Sequence, residues 1–131
     1  TGRKAGAGFY DYPESGRKHL WPGLATEYPV AKEQPSLEEV KQRLLSIQSL
    51  ETARCLQEGV LTNPVDGDLG SVFGWGYPSY TGGALSYIDM VGVGRFVETC
   101  KRFATVTGPR YEPCELLLDM AKKGARFRDA R

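Results

Sequence analysis

The chain is poor in the residues that most often carry chemistry, with one histidine, three cysteines and two methionines among 131 residues. A single histidine leaves no HxxxH pair. Cys55, Cys100 and Cys114 are widely spaced and form no CxxC, so the usual zinc ligand spacings are missing. Their odd number and apolar contexts suit free core thiols better than a disulfide frame. Charge of one sign is also absent: 17 Lys and Arg oppose 16 Asp and Glu, a net charge of +1. No whole-chain field exists to draw in nucleic acid or an anionic membrane, so any binding must come from a local site. No apolar run approaches the roughly 20 residues that span a bilayer. The opening TGRKAGAGFYDYP contains no hydrophobic segment resembling a secretory signal, and the expectation is a cytoplasmic protein without a membrane span.

Catalytic and nucleotide motifs are equally scarce. Gly6-Ala7-Gly8 and Gly74-Trp75-Gly76 each supply a G-x-G, but Asp11 and Ser79 stand where a third glycine belongs, and no hydrophobic strand precedes either. His19 lies in a basic, turn-rich stretch with no orienting carboxylate legible nearby, which suits a surface histidine better than a general base. Arg3, Lys4, Arg17 and Lys18 could meet the phosphates of a coenzyme, although scattered cations without a helix N-terminus suit a solvated arm. Nucleophile elbow, paired carboxylates and P-loop are all absent.

What the chain does contain is helical punctuation. Four of its eight prolines (Pro13, Pro22, Pro29 and Pro35) fall in the first 35 residues, together with Gly2, Gly6, Gly8, Gly16 and Gly23. This segment breaks any helical period and reads as an irregular arm, with residues 36–131 as a separate helical domain. Ser36-Leu37-Glu38-Glu39 is a capping box. Leu37, Val40, Leu44, Ile47, Leu50, Ala53 and Leu56 then recur at gaps of three and four, the stripe of a long amphipathic helix stopped at Gly59, with Glu39 and Arg43 paired on its wet side. Asn63-Pro64 opens a short helix ending near Phe73, in which Asp66 and Asp68 favour the positive end. Further helices are expected over residues 84–91, about 95–105, with a Glu98 to Arg102 pair, and 113–123, stopped by Gly124. No period-two strand pattern is visible. The predicted fold is all-α, a bundle of about five helices with an irregular N-terminal arm.

Between the second and third helices lies FGWGYPSYTGG, a joint dense in glycine and aromatics. Gly74, Gly76, Gly82 and Gly83 permit positive φ or close backbone approach, and Pro78 fixes a turn, so short helices can meet at a sharp angle. Trp75, Tyr77, Tyr80 and Tyr87 could pack that corner or present a surface to a partner. Packing is the expectation for most of them, with at least one facing another domain.

These features in this order resemble the C-terminal helical region of the 3-hydroxyacyl-CoA dehydrogenases, especially the multifunctional enzymes of fatty-acid β-oxidation. Glu58 to Asp68 (EGVLTNPVDGD) is similar to the family's glycine–proline–aspartate helix joint. The stretch GWGYP, GG and YIDMVG, which includes Asp89, is similar to its glycine-rich corner. Gly2 to Tyr12 (GRKAGAGFYDY) resembles the end of the family's first C-terminal domain. The resemblance implies a bundle like the C-terminal domain of 6-phosphogluconate dehydrogenase, following the end of a preceding related domain. In the family, NAD and the catalytic histidine and glutamate belong to a Rossmann domain, which would lie before Thr1. This chain would then bind no cofactor itself, and its partners would be its own N-terminal dehydrogenase domains, an acyl-CoA in the parent enzyme, and a second copy if it dimerises. The family's substrate-facing Asn-Arg-Leu-Leu is Gln42-Arg43-Leu44-Leu45 here, which makes Gln42 the candidate substrate contact. Two rival readings remain open: a free-standing helical interaction module using the aromatic joint, and direct binding of coenzyme A by Arg3, Lys4, Arg17 or Lys18.

Overall fold

The computed structural model describes residues 2–6 and 8–130; Ala7, within the arm motif, lies outside them. The architecture is a small all-α bundle with an irregular N-terminal arm. Contacts divide the chain into two units, Thr1–Pro35 and Ser36–Arg131.

The first unit contains a 3-10 turn over Arg3–Ala5, two strands, β1 (Tyr10–Asp11) and β2 (His19–Leu20), and a single-turn helix, α1 (Leu24–Glu27). The strands pair antiparallel with Tyr10 opposite Leu20 and Asp11 opposite His19, and Trp21 N–H donates to Phe9 carbonyl at 3.0 Å beyond them. This ladder was not legible in the sequence because two residues are too few to establish an alternation. Lys18 sits 4.8 Å above the Tyr10 ring, and Phe9 and Tyr28 meet at 6.1 Å.

The second unit holds α2 (Leu37–Gln57), α3 (Pro64–Trp75), α4 (Ala84–Val91), α5 (Val93–Thr107) and α6 (Glu115–Lys123), with 3-10 turns at Ser79–Thr81, Pro109–Tyr111 and Phe127–Ala130. With α1 the described residues form six α-helices, one more than expected. Ser36 accepts from Glu39 N–H as a capping box requires, and Arg43 pairs with Glu39 at 2.6 Å. Asn63 caps α3 by accepting from Asp66 N–H at 2.9 Å. Four ends differ from expectation by about two residues: α3 runs to Trp75, α5 spans 93–107 and so extends at both ends, and α6 starts at Glu115.

The buried face of α2 is a correction to the apolar stripe. Leu50 and Ala53 are buried, but so are Ser46, Ser49 and Thr52, whereas Leu37 and Leu44 are exposed. Small side chains let the other helices approach closely. A Cβ placed on Gly67 of α3 would stand 3.0 Å from Thr52 Cγ2, so α3 rests on this face at its glycine. Burial of the hydroxyls is tolerated because each is paired. Thr52 donates to the Gln48 carbonyl at 2.9 Å, and Ser49 shares a 2.8 Å bond with the Tyr77 hydroxyl. Around this face pack Tyr77, Leu85, Tyr87, Ile88, Phe96, Val97, Cys100, Leu117 and Phe127. Tyr77, Tyr87 and Phe96 contact edge to face in sequence, each pair 6.3 Å apart, a geometry that suits aromatic quadrupoles.

On α5 the expected Glu98 to Arg102 pair does not form. Glu98 binds Lys101 at 2.8 Å instead, and Arg102 lies 4.5 Å above the Phe103 ring.

Burial has a consequence at alkaline pH. It pushes the Cys100 thiol from 9.0 up to about 12 and raises the Tyr77 phenol above its ordinary 10.0. In each case the folded-state pKa lies above the unfolded one, and the neutral form is the one the fold accommodates. The stabilising contribution is therefore complete below about pH 9 and declines as pH rises towards 12. Denaturant melts at pH values across that window should show progressive loss of stability, with a shallower slope in Cys100→Ala. A stability unchanged between about pH 9 and 12 would contradict this account.

Candidate functional site

The glycine-aromatic corner is assembled from both its flanking helices. Gly76 ends α3 at φ +76°, and Tyr77 N–H reaches back to the Ser71 carbonyl at 3.0 Å. Pro78 opens the 3-10 turn, which Thr81 closes by donating to the Pro78 carbonyl at 2.7 Å. Gly82 then takes φ +83° and Gly83 φ +121°. Gly74, by contrast, is helical with open space around it.

The four aromatics divide evenly. Tyr77 and Tyr87 are buried, the first with its hydroxyl bonded to Ser49. Trp75 and Tyr80 are exposed, although Trp75 Nε1 donates to Gln48 Oε1 at 2.9 Å. Val65, Leu69 and Phe73, four residues apart along α3, are exposed as well.

Asp68 is the residue that sequence reasoning misplaced. Rather than serving the end of its own helix, its buried carboxylate crosses to α4. Oδ1 accepts from Leu85 N–H at 2.8 Å and Ser86 N–H at 2.9 Å, while Oδ2 accepts from the Ser86 hydroxyl at 2.7 Å. Ser71 completes the cap, its hydroxyl oxygen accepting from Ala84 N–H at 3.0 Å. Helix α4 begins at Gly83, which has no side chain to cap it, and two residues of α3 satisfy its first three N–H groups. A short sequence window carries no sign of this, because donor and acceptor are 17 or 18 residues apart.

Asp89 works the same way at the far end of α4. Its carboxylate accepts from Phe127 N–H and Arg128 N–H, both at 2.9 Å, and holds the final turn of the chain. Gln57 at the end of α2 accepts from Leu116 N–H at 2.8 Å and so caps α6.

Gln42 lies elsewhere, on the rim of a cleft of about 260 Å³ between α2, α4 and α5. Ser46, Tyr87 and Phe96 form its buried floor, and Met90, Val91, Arg95 and Thr99 its walls. Burial raises the Tyr87 phenol, which stays protonated and hydrogen-bonds Ser46. The cleft thus presents hydroxyls, a carboxamide and a guanidinium beside a short apolar wall. It shares Tyr87 with the aromatic packing of the glycine corner.

In the first unit, Asp11 supplies His19 with the carboxylate that the local sequence did not reveal: Oδ2 lies 3.5 Å from Nε2 across the ladder, and both side chains are exposed. Arg3 and Lys18 line one depression with Tyr12 and Glu14, whereas Lys4 and Arg17 are not in that lining. A second hollow, of about 700 Å³, is walled mainly by Phe9, Tyr10, Tyr12, Trp21, Leu24 and Tyr28. The cysteines are free thiols; Cys100 is buried, and Cys55 and Cys114 are half-buried. Among the described residues no helix is long and apolar enough to cross a membrane. No family model matches the chain.

Proposed function

We propose that this chain is the C-terminal helical part of a multifunctional 3-hydroxyacyl-CoA dehydrogenase, acting as a scaffold. The parent would oxidise 3-hydroxyacyl-CoA to 3-oxoacyl-CoA with NAD in the cytoplasm, its cofactor and catalytic base supplied from a domain upstream. The observation that carries the reading is the use made of the family-like motif residues. Asp68, Gly83 and Asp89 hold helices to one another rather than converging on a reacting centre. Such residues build a platform, and function in the parent would lie in what the platform supports.

The first unit supports the same reading. Phe9, Leu20, Trp21, Tyr28 and Val30 are exposed on a segment of 35 residues, apolar surface suited to burial against a preceding domain of the same chain. Gln42 at the cleft rim would contribute at most a hydrogen bond to the acyl-CoA cleft.

The reading frame upstream of Thr1 is expected to encode a strand followed by a G-x-G-x-x-G turn. The complete protein should form NADH from NAD and a 3-hydroxyacyl-CoA, while calorimetric titration of the 131-residue chain alone with NADH or acetoacetyl-CoA should give no heat of binding. A start codon just before Thr1 would overturn the reading in favour of a free-standing interaction module. NADH binding by the chain alone would overturn the scaffold role.

A further inference from the structure

The cleft between α2, α4 and α5 has the chemistry of a small-ligand site, and we infer that it binds a free short-chain monocarboxylate. Three observations support this. The first is charge. Arg95 brings the only formal charge to the lining, and no Asp or Glu lines the cleft. Its neighbours on α5 are engaged, Lys101 with Glu98 and Arg102 on the Phe103 ring, whereas Arg95 has no ion pair among the described residues. A guanidinium presents a planar fork that matches a carboxylate, and a single cation suits a monoanion better than a dianionic phosphate.

The second is the donor set. Gln42 at the rim offers an amide N–H₂ within the same cleft, and the buried Ser46 and Tyr87 hydroxyls, which bond each other, form its floor and leave one proton for a ligand. Thr99 gives its hydroxyl proton to the Arg95 carbonyl at 2.9 Å and so offers the ligand no donor. The third is size. At about 30 Å³ for each water, the cleft of about 260 Å³ holds roughly nine water-sized groups, the heavy-atom count of a short alkyl carboxylate. Met90 and Val91 supply apolar wall for that alkyl part.

A partly open site with one ion pair should bind weakly, with Kd on the order of 1 mM. The test is a titration of the ¹⁵N-labelled 131-residue chain with butyrate, hexanoate and octanoate, with hexanamide and inorganic phosphate as controls. Saturable shifts at the amides of Ser46, Tyr87, Arg95 and Thr99 are expected with hexanoate and not with either control. Arg95→Gln, a change at an exposed position, should weaken hexanoate at least tenfold, and Gln42→Ala several-fold, with the remaining spectrum of each variant unchanged. Equal shifts from hexanamide, no saturation with any carboxylate, or full affinity in Arg95→Gln would overturn the assignment. Because the probe is a free acid and the readout is the cleft itself, failure here leaves the dehydrogenase reading standing, and a missing upstream dehydrogenase leaves the cleft standing.

Discussion

Gly83→Ala should unfold the helical unit or leave it barely stable. The methyl carbon would stand 2.5 Å from both Cα and Cβ of Asp68 and 2.6 Å from its Oδ1, and two of those three atoms are too close to the backbone of α3 to swing aside. The backbone also sits at φ +121°, where an L side chain is strained in any space. Relief would require α4 to lift away from α3, breaking the cap that Asp68 and Ser71 provide. We expect a loss of about 4 kcal/mol or more, a large part of the stability of a domain of this size. Gly74→Ala provides the internal comparison. Gly74 is helical, and nothing lies within 4 Å of its added methyl, so the same chemical change should raise stability by about 0.5 kcal/mol. Thermal and urea melts of the two variants should move in opposite directions. Similar melting of both would mean that the glycine corner is not the close contact described.

Asp68→Ala should be the next most damaging change. It removes the acceptor for two buried or half-buried N–H groups and a hydroxyl at once, and leaves Ser71 alone to cap the start of α4. Unsatisfied donors of this kind cost about 1–3 kcal/mol, so a loss of about 3 kcal/mol is expected. Asp68→Asn keeps one oxygen for Leu85 and Ser86 N–H and turns an amide towards the Ser86 hydroxyl, which can accept. About half the loss should return. A double-mutant cycle with Ser86→Ala isolates the 2.7 Å hydroxyl contact, and a coupling near zero would show that Oδ2 contributes nothing through it.

Most of the helical layout was legible because it is local. The Ser36 capping box, the Asn63-Pro64 start and the glycine stops at Gly59, Gly92 and Gly124 act over three or four residues, the reach of a sequence window. The aromatic and aliphatic faces of α5 and α6 were legible for the same reason, since Phe96, Val97, Cys100 and Phe103 bury together, as do Leu117 and Met120. Side-chain pairing on the wet faces was less secure. Glu98 has partners available at both three and four residues, and rotamers decide between them.

The candidate sites were legible only in part. Gln42 was singled out, but the Ser46, Tyr87 and Arg95 that share its cleft come from three helices and have no common motif. The joint's aromatics could not be sorted into buried and exposed, because that depends on where Ser49 and Gln48 of α2 lie when α3 docks.

By itself, then, the sequence determined an irregular proline-rich arm, a set of helices with their ends, and a glycine corner where the chain must turn. Only the tertiary structure decided which face of α2 is buried, choosing Ser46, Ser49 and Thr52 over Leu37 and Leu44, because close approach at Gly67 favours small, internally bonded side chains over bulky ones. It also decided how the later helices are capped. Starting at Gly83 and Cys114, neither α4 nor α6 has a side-chain cap of its own, and both take an acceptor from another helix. A backbone N–H needs an acceptor within about 3 Å in space, and nothing in that need refers to distance along the chain.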